Sequence, residues 1–321
     1  MGAHSTAFSV AGRVARALWV ALISAPLLYA HSITANAAAC DRPCLEHIAD
    51  QYRAAYLKHD PSGAPISKRV RFTENNVEML QFPDGSWDTV TQEIGPALTF
   101  SDPQTGNVGI YTSILQRNTQ GFLAIRLKVE GGQIVEIEHI LSTKRNLSAP
   151  PTPIGEVHKQ NHDANFTSIV PPKERASRSE LISLADGYFS TLQKNDGTIR
   201  NTRFSPDATR YENGLEFSNI EQGFKSGRYF FNERVRDRDF FLVDEERGIV
   251  MARGFIDHKG VLDHYKLTDG STVQSVYQEP QSWGFLEAFK VRNGMIVSVE
   301  SDFVGAPYYM RSPWTKHPDL R

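Results

Sequence analysis

The sequence has 321 residues, of which 40% are hydrophobic, and its formal net charge at pH 7 is −2. This near-neutral balance gives no electrostatic reason to expect nucleic acid or an anionic membrane as a partner. The length suits two domains of ordinary size.

The N-terminus has the features of a secretory signal peptide. Arg13 and Arg16 precede an apolar run over residues 17–30, and a small-residue stretch with an A-x-A pattern ends at Ala39. The run is short for a bilayer core of about 30 Å. We therefore predict a signal peptide over 1–39 and export to the periplasm or the exterior. An uncleaved membrane anchor and lipidation of Cys40 are the alternatives. No later segment is apolar and long enough to cross a membrane, so no membrane partner is expected after cleavage.

Two cysteines, Cys40 and Cys44, stand in C-x-x-x-C spacing. In an oxidising compartment they can pair, and such a local bridge would fix the first turn of the chain. Two thiols alone do not make a zinc site, which needs four ligands. We predict a disulfide here.

The chain contains an internal repeat. Leu45-x-x-Ile48-Ala49-Asp50-x-Tyr52 recurs as Leu181-x-x-Leu184-Ala185-Asp186-x-Tyr188. Further on, Glu74-Asn75 corresponds to Glu212-Asn213, and the pattern over 128–138 corresponds to that over 290–300. Matches that keep their order over such a distance indicate a duplication.

The residue pattern of each copy of the repeat predicts one helix followed by several strands. The repeated apolar residues fall at i, i+3, i+4 and i+7, which is one face of a helix. Alternating segments then flank tight turns and predict two hairpins, over 122–129 with 133–140 and over 285–291 with 295–303. A helix followed by several strands is typical of an α+β fold, in which the helix covers one face of a sheet.

Composition places the boundaries between the parts. We predict a first domain over 40–148, a Pro-rich linker over 149–174, a second domain over 175–305 and a C-terminal tail over 306–321. The second copy also carries about twenty extra residues, roughly 258–283, before its last hairpin.

The segment Asp207-Ala208-Thr209-Arg210-Tyr211-Glu212-Asn213 resembles a strand of the SnoaL-like and ketosteroid-isomerase-like proteins, in the superfamily named for nuclear transport factor two. The first copy, with Val70-Arg71-Phe72-Thr73-Glu74-Asn75, is a weaker match. The tandem arrangement also resembles a secreted double-domain group. The resemblance implies two tandem cone-shaped domains, each a curved antiparallel sheet covered by N-terminal helices. It does not imply one reaction, because this fold hosts many.

The resemblance also implies a site inside the cone. Glu212 occupies the position of the isomerase base, and Glu74 is its repeat-mate. A carboxyl in an apolar pocket gains proton affinity and can act as an acid or base. The alternatives are that each glutamate bonds backbone at a strand edge, or that Glu-Asn marks a turn.

Other polar residues are predicted to surround these acids. Tyr188 and Tyr52 lie on the apolar helix faces and would either aim hydroxyls into the cones or serve as core residues. Arg210 shares a strand face with Glu212 and would hold an oxyanion or pair with the acid, whereas Tyr211 alternates with Glu212.

The second copy contains two Asp-His pairs, Asp257-His258 and Asp263-His264. They suggest a metal site or an acid–base dyad, and the alternative is a set of solvated hairpin residues. The spacing fits no metal motif, so no metal is predicted.

The predicted function is a cofactor-independent lyase, dehydratase or isomerase acting on a small apolar molecule, such as an aromatic or polyketide-like compound. Glu212 would move the proton, and Arg210, Tyr188 or His258 would stabilise charge on an oxygen. Glu74, Tyr52, Tyr211 and Asp257 are candidates for ligand binding. The sequence lacks Gly-x-Ser-x-Gly, Walker, Rossmann and His-Glu-x-x-His signatures, which disfavours serine, nucleotide and nicotinamide chemistry. The alternative is an exported, non-catalytic binding or assembly module. The two copies are expected to pair as an intramolecular pseudo-dimer, with homo-oligomers as a further option.

Overall fold

A computed structural model describes residues 40–144, 153–157 and 162–315. The predicted signal peptide, parts of the Pro-rich linker and the end of the tail lie outside the described residues. Within these ranges, no helix has the length and apolar character that a membrane crossing requires.

The first half starts with a helix and continues as a seven-stranded sheet. Asp41 caps helix α1 (Arg42–Leu57) by accepting a hydrogen bond from the Cys44 backbone N–H, and a proline lies in the first turn, where its missing N–H costs nothing. The sheet contains β1 (Ile66–Glu74), β2 (Val77–Glu78), β3 (Val90–Glu93), β4 (Leu98–Asp102), β5 (Asn107–Gln116), β6 (Thr119–Glu130) and β7 (Gln133–Thr143). Its order is β2-β1-β7-β6-β5-β3, and β4 also pairs with β5.

The second half repeats this plan. Ser177 and Glu180 form a capping box at the start of α2 (Arg178–Leu192). A short helix, α3 (Ile220–Lys225), lies between two strands of a six-stranded sheet. That sheet contains β8 (Phe204–Glu212), β9 (Leu215–Phe217), β10 (Asn232–Asp244), β11 (Ile249–His258), β14 (Gln281–Arg292) and β15 (Met295–Pro307). Between β11 and β14, the extra residues form a separate hairpin of β12 (His264–Lys266) and β13 (Thr272–Gln274).

The two sheets share one strand order. Read from the edge, β9-β8-β15-β14-β11-β10 matches β2-β1-β7-β6-β5 followed by β3 and β4. Glu74 lies opposite His139 on β7, and its repeat-mate Glu212 lies opposite Ser301 on β15. The α+β fold class is confirmed, and so are both predicted hairpins, β6–β7 and β14–β15. The sheets are mainly antiparallel, with one parallel pair in each. The first strand after the helix, β1 or β8, lies beside the last strand of its half, β7 or β15, and runs in the same direction.

The described residues begin with the predicted disulfide. Cys40 and Cys44 are bonded, with their Cα atoms 5.3 Å apart. Because Cys44 lies in the first turn of α1, the bridge fixes the chain where it enters the helix.

Both faces of each sheet are buried, and alternation along the strands assigns residues to them. On β14, Phe285 and Phe289 pack in the core under α2, whereas Leu286 and Ala288 face the other sheet. The core between the sheets includes aromatic and aliphatic side chains from both halves: Leu98, Phe100, Tyr111, Ala124, Ile140, Phe166, Phe241, Leu242, Ile249, Met251, Leu286, Ala288 and Val304. The halves therefore meet through their sheets as well as through the linker.

A buried charge cluster crosses this interface. Glu138 on β7 accepts hydrogen bonds from Arg126 Nε at 3.0 Å and from Arg253 Nη1 at 2.7 Å. The Arg126 and Glu138 side chains are each 2% exposed. Glu138 thus bridges a guanidinium from each half, and each guanidinium has a second carboxylate partner, Glu136 for Arg126 and Asp239 for Arg253.

Replacing Glu138 by Gln is expected to lower the free energy of unfolding by roughly 3 kcal/mol, because two buried guanidinium groups lose a shared counter-charge. Urea unfolding followed by circular dichroism measures the change. Glu130→Gln is the control: Glu130 is 66% exposed and 3.8 Å from Lys128, so a change within about 0.5 kcal/mol is expected. Equal values for both variants would contradict a stabilising charge cluster between the halves.

Candidate functional site

The candidate site lies in the second half, on the sheet face under α2. On β8, Arg210 and Glu212 point to the same face as Ala208, which is part of that core. On β14, Glu287 lies on the same face as Phe285 and Phe289. Strand alternation therefore places two carboxyls and one guanidinium inside an apolar core.

Arg210 organises the group. Its side chain is 2% exposed, and Nη1 donates to Tyr188 Oη at 3.1 Å while Nη2 donates to Tyr229 Oη at 2.6 Å. Its Nε lies 2.9 Å from Glu212 Oε1, a charge contact without good hydrogen-bond alignment. The guanidinium also lies 4.9 Å from the ring centre of Phe217. Arg210 is thus fixed by a carboxylate, two phenols and a ring face.

Glu287 is the second carboxyl of the site. It is 4% exposed, and burial, reinforced by the charge of Glu212, raises its pKa to about 8. The charge of Arg210 and a hydrogen bond from Tyr188 offset part of this rise. At neutral pH Glu287 is therefore mainly a protonated acid. Glu212, by contrast, is 23% exposed and pairs with Arg210, so the two carboxyls have different environments.

An aromatic wall, formed by His258, Phe231, Tyr277 and Trp283, borders the site. His258 lies on the core side of β11, and its ring stacks on Tyr277 with centres 3.9 Å apart. Burial lowers the pKa of His258 to about 3, so the imidazole is neutral, and its Nδ1 has no hydrogen-bond partner among the described residues. Burial and the charge of Glu212 raise the pKa of Tyr277. Phe231 connects the aromatic wall to the site, since its ring centre lies 6.4 Å from that of Tyr229, which is bound to Arg210.

The first half holds a different polar group. Trp87 Nε1 donates to Tyr52 Oη at 3.1 Å, and Tyr52 Oη lies 2.7 Å from His139 Nε2. Ser86 Oγ lies 3.1 Å from His139 Nδ1, and the Ser86 backbone N–H donates to Glu74 at 3.0 Å. Burial would raise the pKa of Glu74, but the hydrogen bond and charge of His139, with the bonds from Ser86, lower it.

The first-half group is closed in by rings. His139 is fully buried, with ring contacts within 6.1 Å to Tyr52, Tyr56 and Phe72. Trp87 and Phe82 complete the packing, 4.9 Å apart. Both ring nitrogens of His139 and the hydroxyl of Tyr52 have partners inside this shell of rings, so the group has the character of a structural core.

Six of the eight predicted residues lie in one core or the other. Glu212, Arg210, Tyr188 and His258 face the second core, and Glu74 and Tyr52 belong to the first. The other two, Tyr211 and Asp257, point away.

Tyr211 lies opposite Glu216, and the charge of Glu216 helps burial to raise its pKa. Asp257 is on the opposite side of β11 from His258, with its carboxylate 2.8 Å from Arg234 Nε and Arg236 Nε and 2.6 Å from Ser282 Oγ. The structure therefore does not bring Tyr211 and Asp257 to the site, because neighbours on a strand face opposite sides.

The second Asp-His pair is on the surface. His264 Nδ1 lies 2.9 Å from Asp263, and their side chains are 53% and 76% exposed. Across the described ranges, no three His, Cys, Asp or Glu side chains are grouped so that they could hold a metal ion.

Sequence reasoning missed Glu287, Tyr229 and Tyr277. The repeat contains a signal for Glu287: aligning Lys128-Val129 with Lys290-Val291 places Glu287 where the first copy has Ile125. A carboxyl in place of an inward aliphatic residue marks a functional position. Tyr229 and Tyr277 lie in connecting segments, where periodicity gives no indication of side-chain direction.

Comparisons with known proteins assign no activity to this chain. The model of one family, described as "Domain of unknown function (DUF8021)", matches residues 174–303. No curated protein matches the sequence. Similar solved structures include an NTF2-like protein from Cytophaga hutchinsonii, 9% identical, covering 40% of this chain and 99% of that chain with a TM-score of 0.26. IdmH from Streptomyces antibioticus is 15% identical, covering 39% of this chain and 91% of its own, also with a TM-score of 0.26. We base no functional argument on these likenesses.

The raised pKa of Glu287 predicts a pH-dependent stability. In the unfolded chain Glu287 ionises near pH 4.5, whereas in the folded protein it stays protonated up to about pH 8. Its contribution therefore lowers the free energy of unfolding progressively as pH rises from about 4.5 to about 8. Glu287→Gln removes this contribution. The free energy of unfolding of the variant, relative to that of the wild type, should therefore rise by a few kcal/mol over that pH interval, since one pKa unit is about 1.4 kcal/mol.

Urea unfolding of both proteins at pH 5 and pH 8.5 measures this difference. Glu279→Gln is the control, because Glu279 is exposed on the surface and its replacement should give the same small change at both pH values. A Glu287→Gln difference independent of pH would show that Glu287 is not a buried, protonated acid.

Proposed function

We propose that the second half contains an acid–base site for a small, largely apolar molecule. With this site the protein acts as a lyase, dehydratase or isomerase without a cofactor. One observation carries the proposal: two carboxyls in one apolar core have different environments, Glu287 buried with a pKa near 8 and Glu212 paired with Arg210. Two carboxyls whose environments differ in this way typically serve as acid and base.

The residues suit proton transfer next to a carbonyl. The Glu212 carboxylate takes the proton from the carbon beside the carbonyl, and the electrons of that C–H bond move towards the carbonyl oxygen. Protonated Glu287 and the phenol of Tyr188, aligned by Arg210, donate to that oxygen as its charge grows. Return of the proton to another carbon gives an isomer. Departure of a group on the next carbon gives an elimination.

The proposed location is outside the cytoplasm, as the predicted signal peptide implies. The Cys40–Cys44 disulfide supports this, because disulfides persist mainly in oxidising compartments. The proposed unit of activity is the paired chain itself, with the first half as a structural partner, since its core is filled by rings.

The first test is turnover of a mixed library of phenylpropanoid, polyketide-like and steroid-like compounds. Products are followed by liquid chromatography and mass spectrometry, with retention times to detect isomers. Glu212→Gln is expected to lower the rate at least about a hundredfold, because general base catalysis contributes roughly 10²–10⁴. Glu74→Gln, the same change at the repeat-mate, should leave the rate within about twofold of wild type.

The outcomes separate the two classes of function. Turnover lost in Glu212→Gln and kept in Glu74→Gln supports the enzyme. If no compound is consumed and wild type and Glu212→Gln retain the same compounds equally, the chain is a binding module and Glu212 has a structural role.

The pH dependence of kcat/KM provides a second test. As an acid, Glu287 acts only when protonated, so kcat/KM should fall as pH rises through about 8. Glu287→Gln should have a lower rate and lack this decline. A wild-type profile that rises through pH 8 would instead make Glu287 the base and contradict its assigned role.

A further inference from the structure

A second cavity lies beside the carboxyl site, under the extra residues of the second half. It has a volume of about 200 Å³ and is lined by Phe230, Phe231, Tyr277, Val261, Leu262 and Lys259, among others. We call it the rim cavity. The β12–β13 hairpin keeps it in place, since the Tyr265 ring on that hairpin stacks near Phe230 with centres 6.0 Å apart.

The rim cavity has the surface of a ligand site. Seven large apolar side chains are strongly exposed among the described residues, and two of them line this cavity, Phe230 at 42% and Val261 at 69%. A third, Val276 at 68%, lies in the chain between the lining residues Ser275 and Tyr277. Exposed apolar groups collected around a concave site mark a place where a ligand is bound.

The shape and charge of the cavity select the ligand. A cavity of about 150 Å³ with apolar walls holds benzene, so the rim cavity has room for one ring or a small fused pair. Lys194 is paired with Glu233 at 3.4 Å, and their charges offset each other. Lys259 has no ion-pair partner among the described residues and leaves one positive charge at the apolar opening.

The cavity also adjoins the carboxyl site. Phe231 lines the cavity, and its ring centre lies 6.4 Å from that of Tyr229, whose hydroxyl accepts a hydrogen bond from Arg210. The Phe231 ring stands edge-on to Tyr277 with centres 5.1 Å apart. A ring packed on Phe231 and Tyr277 would therefore lie next to the acid–base group. An anionic group on that ligand is repelled by Glu212 and attracted by Lys259, so it points to the Lys259 end.

We propose that the rim cavity binds an aromatic acid, with its ring between Phe230, Phe231 and Tyr277 and its carboxylate at Lys259. That this ligand is the substrate rests on the proposed function, but its binding does not. The proposal names the substrate class: a one- or two-ring aromatic carboxylate whose reactive end faces Tyr277.

Binding is tested with trans-cinnamate and with cinnamamide, a neutral compound of nearly the same shape. Calorimetry uses a Glu212→Gln/Glu287→Gln protein, in which the proposed chemistry is removed. Cinnamate should bind roughly two- to fivefold more tightly than cinnamamide, the range expected for a charge pair near water. Lys259→Glu should reverse this preference, and Phe230→Ala should weaken both compounds.

Lys266→Glu is the matched control, an exposed lysine on the same hairpin insertion but outside the cavity lining. It should keep the wild-type preference. If Lys259→Glu and Lys266→Glu change the preference equally, the effect is long-range charge and the proposal is wrong. Failure of both compounds to bind would also overturn it.

The same reagents separate this inference from the proposed function. Suppose that binding depends on Lys259 and that the wild type turns over no library compound. This result would support the aromatic-acid site and contradict the proposed enzymatic function. Turnover of neutral compounds that is unaffected by Lys259→Glu supports the enzyme and shows that an aromatic acid bound in the rim cavity is not its substrate.

Discussion

The structure depends on the burial of both faces of each sheet. One face of each sheet packs under its own helix and the other packs against the partner sheet, so every inward position belongs to a core or to the interface between halves. Because strand residues alternate, neighbours such as Arg210 and Tyr211, or Asp257 and His258, are assigned to different compartments. Whether a polar side chain can take part in a site therefore depends on which face of the sheet its place in the strand gives it.

The duplication has produced two unequal cores. Where the first copy has Ile125, the second has Glu287, and where the first has His139, the second has Ser301. In the first core the polar atoms of Tyr52, Ser86, Glu74 and His139 satisfy one another inside a shell of rings. In the second, a buried guanidinium is shared between phenols and a partly exposed carboxylate while another carboxyl is held in its protonated state. Burying charged groups in this way lowers the stability of the fold. Such groups are typically found at functional sites.

The insertion between β11 and β14 gives the second half its opening. It brings Tyr277 against His258 and Phe231 and leaves apolar side chains exposed around the rim cavity. In the first half, the corresponding strands β5 and β6 are joined by a tight turn, and no wall of this kind is built there. One added segment thus builds much of the wall of the rim cavity.

The sequence by itself determined the α+β class, the repeat, the closing hairpins, the disulfide and the shared face of Arg210 and Glu212, because these follow from periodicity, turn residues and spacing within one segment. The repeat also contained the position of Glu287, at a place where an inward aliphatic residue was replaced by an acid. Only the tertiary structure decided that Tyr188, Tyr229 and Glu287 meet around Arg210, that His258 is neutral behind Tyr277, and that Asp257 is committed to Arg234 and Arg236. These facts depend on how a helix, loops and distant strands are brought together, and no local pattern of residues specifies the distance between side chains that approach only when the two sheets and their helices pack.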